Sequence, residues 1–216
     1  MGLVMSNKYK NHPPKWSDFE KHARNYPLVK RVFKGGVSEV NRFSARYRLA
    51  KSFQGLTLDD FSADTTDGYA ALLRLTLCWS AFEAFLEATG RNKHHVSDIG
   101  KRFDFGDLNQ DLRLADVEGK FFQFILARVE NKNQQNIVRA HLAGENVCGL
   151  TLAKVARHIF VHGPLTPNVG QLSPASVAAI CHRLSLGVLN ILDSEFDQHI
   201  TRLVDTAGPR LPKERQ

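Results

Sequence analysis

The chain has 216 residues, of which 43% are hydrophobic and 24% are charged. This length suits one domain, or one domain with an extension, and the composition supports a hydrophobic core and excludes a disordered tail. The formal net charge is +7, but residues 1–55 carry +9 and the remainder carries −2. Such a basic first quarter favours a polyanionic partner, because Lys and Arg pair with phosphates, although a solvated basic surface would have the same composition.

The cysteines and the apolar stretches indicate the cellular compartment. Cys78, Cys148 and Cys181 are odd in number and lack the spacing of a metal or redox motif, which predicts reduced thiols in a cytoplasmic protein. Charged residues interrupt the most apolar stretch, 69–88, before it reaches the ~18 residues of a membrane span. The start of the sequence does not resemble a secretory signal, so no membrane contact is expected.

Apolar residues recur at helical spacing through most of the chain, and no run alternates as a strand would. In residues 66–89 the apolar positions cover two sides of a helix, which predicts a central helix that several neighbours contact. Residues 91–106 contain two glycines and are predicted to be a connection. The predicted helices span residues 16–33 with a bend or end at Pro27, 37–53, 66–89, 107–130 as one helix or two, 133–143, 149–162 and 174–205.

Stop and start signals support these boundaries. Gly90 and the pair Gly163-Pro164 end helices, because glycine tolerates a left-handed cap and proline cannot continue a helix. The pair Ser173-Pro174 begins the last helix, with serine as the N-cap and proline at the first position. The sequence thus predicts an all-α protein, a bundle of four or more core helices with an N-terminal helical extension. Its predicted parts are a basic extension at 1–60, the bundle at 61–206 and a flexible tail at 207–216.

The helix predicted at residues 149–162 carries the candidate chemistry. Lys154, Arg157 and His158 share its outward face, and His162 lies about 140° from Arg157 around the axis. The helix C-terminus favours a charged His162, whereas Arg157 disfavours it, so this imidazole can exchange protons at cellular pH. Arg157 offers a planar set of donors that suits phosphate. Together they fit acid–base chemistry on a phosphodiester, with His162 moving the proton and Arg157 holding the phosphate.

The segment RHIFVHG, residues 157–163, resembles the Arg-x4-6-His motif of the HEPN superfamily, with polar His158 directly after the arginine. The long helix that follows and the stretch WSAFEAFLE, residues 79–87, also resemble that fold. The resemblance implies a homodimeric, metal-independent endoribonuclease in which the RNA 2′-hydroxyl attacks the adjacent phosphate. Many members are toxins or antiviral defence proteins, which leaves a cognate antitoxin or regulatory protein open as a further partner. It also makes Glu83 a candidate supporting residue, and Lys154 a second one where RNA is bound.

Two features of the sequence separate this chain from related patterns. Pro164 stands where one branch of HEPN toxins carries a modifiable tyrosine, so control by modification at that position is not expected. His158 and His162 have a spacing that can hold a metal, but no third ligand accompanies them, so neither a metal nor another cofactor is predicted. Two other functions stay open: a non-catalytic HEPN-like module that binds RNA, nucleotide or a protein, and a purely structural dimerisation bundle.

Overall fold

The computed structural model describes residues 9–169 and 171–208, and within those ranges it contains helices and no strand. The all-α prediction is confirmed. The ten α-helices are Trp16–His22 (α1), Tyr26–Val32 (α2), Gly36–Ser52 (α3), Ala63–Ala88 (α4), Val96–Gly100 (α5), Gly106–Ala115 (α6), Lys120–Leu126 (α7), Lys132–Leu142 (α8), Gly149–Val161 (α9) and Pro174–Ala207 (α10). A short 3-10 helix, Lys93–His95, precedes α5.

Helices α4 and α10 lie side by side and parallel at the centre of the bundle. A methyl group on Gly68 would lie 3.4 Å from the Pro174 carbonyl oxygen, near the start of both helices. Farther along, Arg91, just after α4, pairs with Glu195 of α10 at 3.0 Å. Between these points both helices bury apolar side chains on their facing sides, and each fully buried Leu, Ile or Phe contributes about 1.5–3 kcal/mol.

The stop and start residues act as the sequence predicts. Gly90 follows α4 with a φ of +70° and Gly163 follows α9 with a φ of +99°, a conformation that disfavours residues with a Cβ atom. The Ser173 side chain accepts a hydrogen bond from the Ser176 amide at 3.1 Å. Pro174 occupies the first turn of α10, where its missing N–H leaves no hydrogen bond unmade.

The basic N-terminal segment contributes to the same hydrophobic core as the rest of the chain. Phe196 of α10 is surrounded by three aromatic rings, those of Trp16 in α1, Phe33 at the end of α2 and Phe43 in α3. Their ring centroids lie 5.9, 5.8 and 5.4 Å from that of Phe196. Such aromatic contacts add to the free energy gained by burial. The lysine and arginine residues of α1–α3 are exposed or half-buried, so these helices bury one side and present the other to solvent.

Two segments differ from their predicted form. Residues 16–33 form two helices, but the break lies at residues 23–25 and not at Pro27. The Asn25 side chain accepts a hydrogen bond from the Leu28 backbone N–H and caps α2, which begins at Tyr26 and has Pro27 in its first turn. Residues 91–106 contain the 3-10 helix and α5 rather than a plain connection. Of the predicted tail, 207–216, residues 209–216 lie outside the described residues, while Ala207 ends α10.

By length and composition, two helices could cross a membrane. The most apolar 18-residue windows of α4 and α10 have mean hydropathies of 1.3 and 1.5. Within the bundle, 61% and 56% of those windows are buried. Core helices of water-soluble proteins have the same length and hydropathy, so these two helices are weak evidence for a membrane location, and the cytoplasmic location stays a prediction.

Candidate active site on helix α9

Helix α9 places its apolar side in the bundle and its polar side at the surface. Its buried apolar side chains are Leu150, Leu152, Ala153, Val155, Ala156 and Ile159. His158 and Val161 are exposed, and Lys154 and Arg157 are half-buried at the margin. His162 directly follows the helix, and its backbone N–H donates to the His158 carbonyl at 3.1 Å. The outward face predicted from the sequence is therefore present.

The two histidines of this face lie against each other. The ring centroids of His158 and His162 are 4.3 Å apart with 57° between the ring planes, and both residues are exposed. Partial burial lowers the pKa of His158, the positive charges of His162, Arg157 and Lys154 lower it further, and Glu130 opposes them. A larger share of His158 is thus neutral at cellular pH than of an ordinary histidine, and a neutral imidazole can accept a proton.

A cavity of about 520 Å³ lies beside Lys154 and does not include the two histidines. The two predicted supporting residues, Glu83 and Lys154, line it together with Trp79 and Arg46. The exposed Glu83 carboxylate accepts a hydrogen bond from Trp79 Nε1 at 3.0 Å. The structure therefore groups Glu83 with Lys154 and apart from the histidines. Lys154 links the two regions, because its charge also lowers the pKa of His158.

The histidine pair opens on a separate cavity of about 620 Å³, within the usual range of ligand sites. Its opposite wall is the segment between α7 and α8, residues 127–131, together with Gln134 in the first turn of α8. Val155 and Ile159 of α9 form an apolar floor. The sequence interpretation did not identify this wall. Its only sequence signal is a polar run, residues 130–136, between two apolar segments.

Arg157 lies at the other edge of the exposed face. Helix α9 runs antiparallel to α4, since Lys154 and Glu83 share one cavity and Pro167 is within 3 Å of where a Gly68 Cβ would lie. Arg157 is on the margin away from His162, about 140° around the axis and about 7.5 Å along it. Its Nε atom is buried without a hydrogen-bond partner, and an unpaired buried donor costs about 1–3 kcal/mol.

Other chemistries have less support at this site. Within residues 9–169 and 171–208, no group of three or more His, Cys, Asp or Glu side chains is placed to hold a metal ion. Cys78 and Cys181 are buried free thiols, and burial raises the pKa of both, that of Cys78 to about 11. A thiol in that state is a poor nucleophile.

Comparison with known proteins identified no relative: no family model, curated protein or solved structure matches the chain.

Proposed function

We propose that the protein is a metal-independent endoribonuclease of the HEPN type that acts as a toxin or defence effector. The observation that carries the proposal is the pair of exposed histidines, 4.3 Å apart, at the mouth of a nucleotide-sized cavity. Two adjacent imidazoles, one neutral and one protonated, can act as base and acid in one reaction. RNA also supplies its own nucleophile, the 2′-hydroxyl, so the protein needs to provide proton transfer and charge neutralisation.

In this mechanism His158 is the general base and His162 the general acid. The neutral His158 takes the 2′-hydroxyl proton as the 2′-oxygen attacks phosphorus, which fits its lowered pKa. His162 donates a proton to the departing 5′-oxygen as the phosphorus–oxygen bond breaks. The products are a 2′,3′-cyclic phosphate and a free 5′-hydroxyl. After the step His158 is protonated and His162 is neutral, so His158 must release its proton to water and His162 must take one up before the next turnover.

Arg157 is the proposed phosphate clamp, and its position favours a shared site. Because it lies about 140° from His162 around α9, one protomer does not direct both side chains at one phosphodiester. In a two-fold homodimer the Arg157 of the second protomer can reach the phosphate held at the histidines of the first. Val161, 46% exposed, lies between them on the same face, and Leu73 of α4 is 39% exposed. These apolar side chains suit contact with a second protomer.

Cleavage of single-stranded RNA in the presence of EDTA tests the catalytic assignment. We expect His158→Gln and His162→Gln each to lower the cleavage rate by about 10²- to 10⁴-fold, the usual contribution of general acid–base catalysis. His22→Gln, a change of the same type on α1, should cleave at the rate of the unmodified protein. Unchanged cleavage in both α9 variants, or cleavage that requires a divalent metal, would refute the mechanism.

Mixing two inactive variants tests whether the site is shared between protomers. Arg157→Ala and His162→Ala are each expected to lose cleavage. In an exchanged equimolar mixture about half of the dimers contain one of each protomer and one intact site, so roughly a quarter of the original activity should return. A mixture in which mixed dimers are present but inactive would place clamp and acid in one protomer. A protein that stays monomeric would exclude the dimer.

A second function is favoured by the basic excess of residues 1–55. Three exposed arginines could contact RNA phosphates without any reaction: Arg24 in the turn before α2, Arg31 on α2 and Arg48 on α3. A non-catalytic RNA-binding module predicts affinity that falls steeply with salt and RNA that is recovered intact.

A further inference from the structure

The wall opposite the histidines carries groups that suit a nucleobase. Arg128 has its guanidinium carbon 3.4 Å from the centroid of the Phe124 ring, and its Nη1 donates to the Phe124 carbonyl at 3.1 Å. These contacts hold the guanidinium on the ring. Arg128 is exposed and lines the cavity. A held guanidinium is a stacking surface for an unpaired base.

Two side-chain amides lie on the same wall. The Asn131 side-chain oxygen accepts a hydrogen bond from the backbone N–H of Gln134 at 3.2 Å, which fixes Asn131 at the start of α8. The Gln134 side chain is half-buried and has no hydrogen-bond partner among the described residues. An amide group can both donate to and accept from one base edge, as Asn and Gln do with adenine. Gln134 is therefore free to recognise a ligand.

The Glu130 carboxylate makes the wall opposite the histidines better suited to a base edge than to a phosphate. Glu130 lines the cavity, and its negative charge raises the pKa of His158. A carboxylate repels phosphate but accepts a hydrogen bond from an exocyclic amine. The floor formed by Val155 and Ile159 is apolar and suits the flat face of a ring. Arg157 and Lys154 do not line this cavity, and the guanidinium of Arg128, which does, lies on the Phe124 ring.

We propose that this cavity binds the unpaired base beside the scissile phosphate and selects adenine and cytosine, in which the exocyclic amine stands beside an acceptor ring nitrogen. Arg128 provides the stacking surface, and Glu130 and Gln134 recognise the base edge. This inference rests on the proposed function and specifies its substrate as single-stranded RNA. A base in a duplex is stacked on both faces and paired at its edge, so it cannot enter a cavity on the protein surface.

Cleavage of four single-stranded oligonucleotides that differ only in the base 5′ of the cut provides the first test. We expect adenine and cytosine to be preferred over uracil and guanine by about 5- to 150-fold, which corresponds to one or two specific base contacts. Gln134→Ala and Glu130→Gln should remove most of that preference through KM, with little change in kcat. Asn133→Ala, the neighbouring exposed amide, should keep it. Equal cleavage of all four oligonucleotides by the unmodified protein would overturn the inference.

Binding of 5′-AMP and 5′-UMP, followed by NMR or calorimetry, separates this inference from the proposed function. If the protein does not cleave RNA but binds AMP in preference to UMP, and Gln134→Ala removes that preference, the base site stands and the ribonuclease fails. If it cleaves RNA without base preference, the ribonuclease stands and the base site fails. If the protein neither cleaves RNA nor discriminates AMP from UMP, both are wrong.

Discussion

Acidification from pH 6.5 to pH 4 is expected to destabilise the protein by about 3 kcal/mol for each of two buried histidines. Burial lowers the pKa of His141 to about 4, with Arg113 adding to the effect. Burial also lowers the pKa of His199 to about 4, assisted by Arg202 and Arg91 and opposed by Glu195. The ordinary value is 6.5 for both.

The sign follows from which state binds protons. Between pH 6.5 and pH 4 the unfolded chain protonates these histidines while the folded chain keeps them neutral. Protonation therefore favours unfolding. The contribution of the two histidines to the free energy of unfolding is fully present above pH 6.5 and is lost as the pH falls towards 4.

The hydrogen bonds of His141 show why it resists protonation. Asn109 uses its Nδ2 group to donate to the Phe105 and Val147 carbonyls, both at 2.8 Å. Its Oδ1 atom must therefore be the acceptor for His141 Nδ1–H, also at 2.8 Å. The second ring nitrogen has no anionic partner, and His141 is 1% exposed, so a charge there would be poorly solvated.

Denaturant unfolding at pH 7, 5.5 and 4.5 measures this effect. We expect His141→Gln and His199→Gln to be less stable at pH 7 but to show a shallower decline with acid, because each removes one titrating group. His22→Gln, at a half-buried position at the end of α1, should follow the unmodified profile. A decline that is equally steep in the double variant would assign the acid sensitivity to other residues.

Removal of both arginines that pair with Glu195 is expected to lower the free energy of unfolding by about 3–5 kcal/mol. Glu195 is fully buried, and its two carboxylate oxygens lie 3.0 Å from Arg91 Nη1 and 2.7 Å from Arg102 Nη2. Without these partners the carboxylate is an uncompensated charge within the bundle. The arginine side chains are 24% and 40% exposed, so they can reach water when the carboxylate is removed.

A buried Glu195 without its arginines is expected to cost more than the two arginines without Glu195, and this difference gives an internal control. Glu195→Gln alone should cost less than Arg91→Ala combined with Arg102→Ala. Adding Glu195→Gln to the double arginine variant should recover part of the lost stability, because it removes the buried charge. Denaturant midpoints at constant pH measure each step of the cycle. If the double arginine variant unfolds at the same denaturant concentration as the unmodified protein, the ion pairs do not hold residues 91–102 to α10.

The fold was largely predictable because local signals agreed with the packing. Two-sided apolar spacing identified α4, and Ser173-Pro174 located the start of α10 to the residue. The segment 91–106 was not predictable, because its arrangement depends on Glu195, about 100 residues away. Sequence spacing does not reveal such a distant ion pair. Pro27 indicated a break within residues 16–33, but the break precedes it, because Asn25 caps α2 and Pro27 lies in the first turn of that helix.

The candidate site was predictable only as far as one helix determines it. The contact between His158 and His162 follows from their four-residue spacing. Their cavity requires α7 and α8, which place Arg128 and Gln134 nearby, and no local pattern links these residues to α9. Glu83 stays a predicted supporting residue, and its position beside Lys154 depends on the antiparallel course of α9, which no local pattern reveals.

The parallel pairing of α4 with α10 has a consequence for synthesis. Helix α3 can fold onto α4 as soon as both have left the ribosome. The side of α4 that carries Cys78 must wait for α10, which requires the 119 residues after Ala88 to be made. At 5–20 residues per second this takes about 6–24 s. During that interval the nascent chain presents an unpartnered apolar surface, which is the kind of surface that chaperones bind.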